Sequence, residues 1–231
     1  MTAGFLKEQE MMEYGLIGAK LGHSFSKDIH SKIGKYDYQL IELTDRQLDE
    51  FLKEKNFKAV NVTIPYKQTV IPYLDHMTQA ASDIGAVNCI RNDSGRLIGH
   101  NTDFDGLSAL IRHARVDLEG KKVLILGTGG TSDTASAVCK SVKAAGAVKV
   151  SRRKTTEAVT YEEAYSRHKD AQIIINTTPC GMYPDIFAKP IDIDGFDSLE
   201  GVIDVIYNPL RSLLITDAKA KNIKAEGGLY W

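Results

Sequence analysis

Short apolar runs alternate with helical patterns along most of the chain. In its first half, apolar runs at residues 14–18, 38–43 and 59–62 have the length of buried strands. In its second half, similar runs occupy residues 123–126 and 173–175. Because alternating strands and helices are typical of mostly parallel sheets covered by helices, this pattern predicts an α/β fold.

The order of these patterns predicts two domains. Two strand-like runs flank a turn-forming segment at residues 91–95, which indicates a β-hairpin. A helical pattern then begins at Phe104, and residues 116–120 separate it from a run that opens like a new βαβ unit. We therefore expect one domain at residues 12–115 and a second at residues 116–231.

Two helix starts carry the spacing of a capping box. Thr44 is followed three residues later by Gln47, and Thr160 is followed three residues later by Glu163. In this motif the threonine hydroxyl accepts a hydrogen bond from the helix backbone, while the Gln or Glu side chain accepts one from the threonine amide. Helices are therefore predicted to begin directly after Thr44 and Thr160.

Composition and charge narrow the class of protein. The chain has 231 residues, with 29 Lys plus Arg against 30 Asp plus Glu, so its formal net charge is −1. This balance favours neither nucleic acid nor an anionic membrane as a partner, and the apolar content excludes a disordered chain. The three cysteines lie far apart without a Cys-x-x-Cys pair, so neither a metal site nor a disulfide framework is indicated. Lys7 and Glu8 stand where a signal peptide needs an apolar segment, and a cytoplasmic protein is expected.

A glycine-rich turn joins one predicted strand to the helix that follows it. The turn reads Gly127-Thr128-Gly129-Gly130-Thr131. Glycines at such a turn let backbone amides approach a pyrophosphate, which the positive helix N-terminus also favours. The full Gly-x-Gly-x-x-Gly pattern is not present, so the glycines alone are also compatible with a plain turn. Their position between a strand and a helix favours nucleotide binding.

The end of the next strand indicates which nucleotide is preferred. An NAD site has an acid there for the ribose 2′-hydroxyl, whereas this chain has Ser151, Arg152 and Arg153. An arginine forms paired hydrogen bonds with a 2′-phosphate, so the pattern predicts NADP rather than NAD. A solvated basic loop is the alternative.

Polar residues collect after several strands of the first half. In open α/β sheets, ligands bind at the carboxyl ends of strands, so these residues are candidates for one binding site. Taken singly, each also has a structural interpretation as a helix cap, a turn residue or a solvated charge. Together, two hydroxyls, amides, a lysine and an acid would suit a polyhydroxylated carboxylate. The residues are Ser24, Ser26, Thr63, Lys67, Asn88 and Asp103.

These segments, taken in order, resemble shikimate dehydrogenase over residues 13–229. The glycine turn and the loop at Thr178 belong to the same series of matches. The matching segments lie at residues 23–26, 61–67, 85–88, 101–106, 127–130, 175–182 and 204–209. The resemblance implies an N-terminal, mostly parallel α/β substrate domain followed by a Rossmann-like NADP-binding domain. It also implies NADPH-dependent, reversible reduction of 3-dehydroshikimate to shikimate, a step of aromatic amino-acid (chorismate) biosynthesis.

The resemblance also implies roles for individual residues. Ser24 and Ser26 would hold the substrate carboxylate, and Lys67 with Asp103 would form the catalytic pair. Thr63, Asn88 and Asp103 would bind the ring hydroxyls, and Tyr207 would make a further substrate contact. The residues expected to bind NADP(H) are Gly127, Thr128, Gly129, Gly130, Thr131, Ser151, Arg152, Arg153, Thr178, Val205 and Gly228.

The sequence departs from the family at several places, including Asp133 and the C-terminal end. Asp133 lies in the first helical turn after the glycines, where relatives carry Lys or Arg, and we expect it to repel a pyrophosphate. Relatives continue beyond Leu229 into helices that return to the substrate domain with a substrate-binding glutamine. The sequence ends at Trp231, so we expect weak turnover, with either self-association or a loosely ordered substrate domain.

Three alternatives are compatible with the sequence. The first is a monomeric or homodimeric shikimate dehydrogenase, and the second is a quinate or quinate/shikimate dehydrogenase. The third is a non-catalytic relative that binds ligand without turning it over. The sequence does not decide between shikimate and quinate.

Overall fold

The first of two six-stranded sheets is built from residues before Asn101. The computed structural model describes residues 12–22 and 24–231. Its chain divides into two compact units, the first ending at Asn101 and the second beginning at Thr102. The elements of the first unit are β1 (Met12–Gly18), α1 (Ser26–Ile33), β2 (Tyr38–Glu42), α2 (Asp45–Glu54), β3 (Phe57–Val62), β4 (His76–Met77), α3 (Gln79–Ile84), β5 (Cys89–Asp93) and β6 (Arg96–His100).

The strand order of the first sheet is β2-β1-β3-β5-β6-β4. Strand β1 pairs in parallel with β2 and β3, and β4 pairs in parallel with β6. Strands β5 and β6 form the predicted hairpin and are antiparallel to each other, as β3 is to β5. The sheet is therefore mostly parallel, with one antiparallel insertion.

Alternation along β1 and β3 separates the two faces of this sheet. Ile17, Val60 and Val62 are buried against Leu48 and other residues of one apolar cluster. Leu16 belongs to a second, smaller cluster with Leu21 and Tyr38. Because successive side chains of a strand point to opposite faces, Asn61 lies on the face opposite to Val60 and Val62. The polar side chain of Asn61 is thus directed away from the larger apolar cluster.

The second unit contains a fully parallel six-stranded sheet. Its strand order is β12-β11-β10-β7-β8-β9. Every residue of β10 and β11 is buried, as expected for parallel strands with both faces covered. The elements are α4 (Thr102–His113), β7 (Lys122–Leu126), α5 (Gly130–Ser141), β8 (Gly146–Ser151), β9 (Ala158–Thr160), α6 (Tyr161–Arg167), β10 (Ile173–Asn176), β11 (Gly201–Asp204), α7 (Leu213–Ala220) and β12 (Lys224–Glu226).

Helix α4 packs with the second unit, although it was predicted to end the first domain. Its buried residues Leu107, Leu110 and Ile111 belong to the same apolar cluster as Val123 and Ile125 of β7. The compact units therefore divide between residues 101 and 102, earlier than the predicted boundary after residue 115. The apolar face of α4 needs a covering surface, and the second sheet supplies it.

Local helix signals agree with the predictions. Both capping boxes are present, with the Thr44 and Thr160 hydroxyls each accepting a hydrogen bond from the backbone amide three residues later. Short elements were not predicted, namely α3 and the strands β4, β9 and β12. No helix in the described part of the chain is both long and apolar enough to cross a membrane.

A buried carboxylate fastens the strand ends of the second sheet. Asp204, the last residue of β11, has no exposed surface. The Ser212 hydroxyl donates to its Oδ2 at 2.5 Å, and Asn176 Nδ2 and the Ile206 amide donate to its Oδ1 at 3.0 and 3.1 Å. Burial raises the pKa of Asp204, while these three hydrogen bonds oppose the shift. The carboxylate thus connects the ends of β10 and β11 to the start of α7.

Comparing Asp204→Ala with Asp204→Asn separates the contribution of the hydrogen bonds to stability from the contribution of the charge. Alanine leaves three buried donors without their acceptor and should lower the free energy of unfolding by on the order of 3 kcal/mol. Asparagine keeps Oδ1 for two donors, and its Nδ2 can donate to the Ser212 hydroxyl oxygen, so most of the stability should remain. Urea unfolding of both variants measures the difference, and an equal loss in both would contradict this account.

The pH dependence of the same variants has a defined sign. Because the pKa of Asp204 is raised in the folded state, the folded protein binds this proton more tightly than the unfolded chain. Its stabilising contribution is therefore complete at low pH and is lost as the pH rises through the folded-state pKa. The stability of the parent chain relative to Asp204→Asn should fall with increasing pH, and a rise would contradict the raised pKa.

Candidate functional site

The first unit contains a cavity of about 510 Å³ on the α1 side of its sheet. Five predicted catalytic and substrate-binding residues from three segments line it: Ser24, Ser26, Thr63, Lys67 and Asn88. The structure therefore brings together all the predicted catalytic and substrate-binding residues that belong to this unit. The other lining residues are Leu16, Lys20, Leu21, Gly22, Ile29, His30, Asn61 and Val62.

The two serines meet at the start of α1. The Ser24 hydroxyl donates to Ser26 Oγ at 3.0 Å, and the Ser26 amide donates to Ser24 Oγ at 3.2 Å. The residue before the helix, Phe25, makes no side-chain capping bond. Two hydroxyls beside a helix N-terminus favour an anionic ligand group such as a carboxylate. His23, which belongs to the same sequence motif, lies outside the described residues.

Backbone hydrogen bonds hold the remaining polar residues in place. The Thr63 amide donates to the Ile17 carbonyl at 3.0 Å, directly after β3. The Val87 amide donates to the Lys67 carbonyl at 2.8 Å, which fixes the turn that carries this lysine. The Asn88 carbonyl accepts from the Val62 amide at 2.8 Å. The backbone at Thr63 and Asn88 is thus bonded to strands of the sheet, and the turn at Lys67 is bonded to the segment directly before β5.

Two lining residues, His30 and Asn61, were not among the predicted substrate residues. The Tyr38 hydroxyl donates to Asn61 Oδ1 at 2.7 Å, and the His30 ring stacks on Tyr38 with centroids 3.7 Å apart. Two signals in the sequence point to these positions. Asn61 is a polar residue between two buried valines of β3. His30 follows Ser26 by four residues, so His30 and Ser26 lie on one helix face.

The second unit contains a cavity of about 700 Å³ at the ends of β7, β8 and β10. This volume is within the usual range for small-molecule and cofactor sites. Six predicted cofactor residues line it: Gly127, Thr128, Gly129, Ser151, Arg152 and Thr178. The lining also includes Val150, Tyr161, Thr177, Pro179, Cys180, Lys189 and Pro190.

The geometry of the glycine turn fits the approach of a dinucleotide. Gly127 has φ of +111°, and a Cβ there would lie 2.8 Å from Thr177 Oγ1, so this position requires glycine. A Cβ at Gly129 or Gly130 would meet no protein atom within 4 Å. Bare backbone therefore borders open space at the N-terminus of the twelve-residue helix α5, as pyrophosphate binding requires.

The loop after β10 is held by side-chain hydrogen bonds. Asn176 Oδ1 accepts from the amide and the hydroxyl of Thr178 at 3.0 and 2.7 Å. Thr177 Oγ1 donates to the Leu126 carbonyl at 2.6 Å. Burial raises the pKa of the Cys180 thiol, and it likewise raises the pKa of the Tyr161 hydroxyl. Both groups therefore line the cavity in their neutral forms, beside the charged Arg152.

Asp133 does not stand as an isolated negative charge near the glycine turn. Lys149 Nζ, from β8, lies 2.6 Å from Asp133 Oδ1 and 3.6 Å from Glu157 Oε2. Burial lowers the pKa of Lys149, but the hydrogen bond and charge of Asp133 outweigh it and raise the pKa. The lysine therefore stays charged and opposes the repulsion that Asp133 alone was expected to exert on a pyrophosphate.

The other predicted residues occupy defined places in the second unit. Asp103 lies in the first turn of α4, and its carbonyl accepts a hydrogen bond from Trp231 Nε1 at 3.0 Å. Tyr207 is exposed in the segment after β11. Val205 packs against Gly228, where an added Cβ would clash with the Val205 carbonyl oxygen. Gly130 and Thr131 open helix α5, and Arg153 is an exposed neighbour of Arg152.

Known proteins match this chain in sequence and in fold. A family model described as the shikimate dehydrogenase substrate binding domain matches residues 16–90. A crystal structure of a chorismate mutase/shikimate 5-dehydrogenase fusion protein from Clostridium acetobutylicum is 33% identical, with a TM-score of 0.84 over 95% of this chain and 86% of that chain. Thermus thermophilus shikimate 5-dehydrogenase, solved in complex with NADP(H) and shikimate, is 27% identical, with a TM-score of 0.80 over 95% and 88%.

A curated relative extends the match at the level of sequence. Shikimate dehydrogenase (NADP(+)) from Clostridium perfringens is 34% identical over 244 residues, which cover 95% of this chain and 88% of the relative. Sequence and fold therefore match these relatives over almost the whole chain. This chain belongs to the shikimate dehydrogenase family.

Proposed function

We propose that this chain catalyses the NADP-dependent, reversible reduction of 3-dehydroshikimate to shikimate. The observation that carries the proposal is the cavity of the first unit, which collects two serines, a threonine, a lysine and an asparagine from three segments. Such a set suits a small ring with hydroxyls and a carboxylate. The Thermus thermophilus relative, solved with NADP(H) and shikimate, supports the same ligands.

Recognition of the substrate follows from the donors and acceptors in this cavity. Ser24 and Ser26 bind the carboxylate, because their hydroxyls meet at the positive end of α1. Thr63 and Asn88 bind ring hydroxyls from the ends of neighbouring segments. Asp103 and Tyr207 are assigned to the substrate on the resemblance to the family.

Catalysis requires a hydride and a proton at the C3 carbonyl. NADPH, when bound, supplies the hydride. Lys67 donates the proton to the carbonyl oxygen, so that C3=O becomes C3–OH and no alkoxide is left without a partner. Asp103 is the second member of the proposed catalytic pair. In the reverse direction the same groups accept the proton that the hydroxyl releases.

The second unit binds the cofactor in this proposal. Backbone amides from Gly127 to Thr131 receive the pyrophosphate, as the open space beside Gly129 and Gly130 allows. Arg152 and Arg153 bind the 2′-phosphate, and Ser151 borders the same ribose. Thr178, Val205 and Gly228 are assigned to the nicotinamide side on the resemblance to the family.

The wider setting of the protein is also part of the proposal. The activity belongs to aromatic amino-acid biosynthesis in the cytoplasm, with the substrate and NADP(H) as the partners. A monomer or a homodimer performs it, without nucleic acid or membrane.

Enzyme assay of the purified chain tests the proposed function. With shikimate and NADP, we expect an increase in absorbance at the NADPH band, and the Clostridium perfringens relative serves as the positive control. Turnover on quinate, measured in parallel, decides between shikimate and quinate. Binding of shikimate by calorimetry without any turnover would instead support a non-catalytic relative and overturn the proposal.

Substitution of Lys67 tests its place in catalysis. Because Lys67 supplies a proton in the transition state, Lys67→Ala should lower kcat by roughly 10²–10⁴-fold while shikimate binding is largely retained. Lys32→Ala removes a charge from the exposed side of α1 and serves as the matched control. A rise in KM with kcat unchanged would make Lys67 a binding residue instead.

Substitution of the two arginines tests the preference for NADP. Since both contact only the 2′-phosphate in this proposal, Arg152→Gln with Arg153→Gln should raise the Kd of NADP by roughly 10- to 100-fold and change that of NAD little. Arg167→Gln removes a positive charge elsewhere in the same unit as a control. Equal weakening of NADP and NAD binding would refute the assignment.

A further inference from the structure

Asn61 lines the first cavity, and the orientation of its side-chain amide decides whether a ligand meets a hydrogen-bond donor or an acceptor. An amide presents an acceptor from one side and two donors from the other. Tyr38 hydrogen-bonds to Asn61, His30 stacks on Tyr38, and Tyr36 hydrogen-bonds to His30. None of the three has been assigned to the substrate. That the ligand of this cavity is the substrate rests on the proposed function.

The Tyr38 hydroxyl determines the direction of the amide. Tyr38 is 4% exposed, so its hydroxyl proton needs an acceptor inside the protein. That acceptor is Asn61 Oδ1 at 2.7 Å. Asn61 Nδ2 then faces the Asn88 carbonyl oxygen at 3.5 Å. Reversing the amide would place two oxygens opposite each other at that position, so the contacts with Tyr38 and Asn88 require the same orientation.

The imidazole of His30 reinforces this orientation. Its ring stacks on Tyr38 with an interplanar angle of 9° and centroids 3.7 Å apart. His30 Nδ1 and the Tyr36 hydroxyl lie 2.7 Å apart, and this hydrogen bond holds the imidazole in its stacked position. Burial lowers the pKa of His30, which favours the neutral ring beside Tyr38.

We propose that His30, Tyr36 and Tyr38 are positioning residues that fix Asn61 as a hydrogen-bond donor toward the substrate. Asn61 Oδ1 accepts from the Tyr38 hydroxyl, and Nδ2 lies 3.5 Å from the Asn88 carbonyl oxygen. Because Nδ2 carries two N–H groups, the second remains for a ligand in the cavity. It selects a ligand oxygen that accepts a hydrogen bond, as a hydroxyl or carbonyl oxygen of the proposed substrate does.

A double-mutant cycle tests whether Tyr38 acts through Asn61. We expect Tyr38→Phe to raise the KM for shikimate by roughly 3- to 10-fold and leave the KM for NADP unchanged, because one hydrogen bond to Asn61 is lost. In the Asn61→Ala background the same change should have less than about a 2-fold effect. Equal effects in both backgrounds would overturn the proposal, as would an unchanged KM in Asn61→Ala.

Tyr14→Phe provides the matched control for this cycle. Its ring packs edge-to-face on Tyr36 with centroids 4.8 Å apart, so the variant removes a hydroxyl from the same aromatic cluster. We expect its KM for shikimate to equal that of the parent chain. A change as large as that of Tyr38→Phe would show a general effect of the cluster and would overturn a specific role for Tyr38.

Calorimetry of shikimate binding to the full chain tests the same contact without turnover. Because Tyr38→Phe removes one hydrogen bond to Asn61, it should raise the Kd for shikimate by roughly 3- to 10-fold and leave the Kd for NADP unchanged. An equal Kd for shikimate in the parent chain and in Tyr38→Phe would overturn the proposal. If the parent chain bound shikimate and Tyr38→Phe weakened that binding, but the parent chain did not oxidise it, only the proposed function would fall.

Discussion

The buried carboxylate of Asp204 is the interaction on which the second unit depends most. A carboxylate without exposed surface is unfavourable unless donors surround it, and here a hydroxyl and two N–H groups do so. One of those donors is Asn176, whose Oδ1 in turn holds the backbone and hydroxyl of Thr178. The carboxylate therefore controls the loop at the second cavity from a position outside its lining. Asp204 acts by holding neighbouring groups in place through hydrogen bonds, and it is not assigned a catalytic role.

The first unit achieves a similar result with backbone hydrogen bonds. The turn at Lys67 is held by the Val87 amide, and Asn88 is held between Val62 and His100 through its own carbonyl and amide. In both units the candidate ligand groups follow strand ends, where the sheet fixes the backbone but leaves side chains free of the core. Polar residues can gather there without disturbing the apolar clusters beneath them.

The features that the sequence predicted best are those that local residue patterns determine. Long apolar runs identified β7 and β10, and capping-box spacing located the starts of two helices. Strands β4, β9 and β12 have only two or three residues, which is too short for any periodicity to register. The sequence likewise did not show which unit α4 belongs to, because the sheet of either unit could cover its apolar face. His30 and Asn61 were overlooked as site residues because their roles depend on Tyr38, which only the sheet register brings beside them.

Asp133 illustrates the limit of reading charges one at a time. Considered alone in the first turn of α5, it should strengthen the helix and repel a phosphate. Strands β7 and β8 are neighbours in the sheet, and that pairing brings Lys149 within 2.6 Å of the acid. Lys149 is largely buried, so its charge is less screened by water than that of an exposed residue. The charge at the glycine turn is thus a property of two elements together, and Asp133 does not by itself argue against a pyrophosphate there.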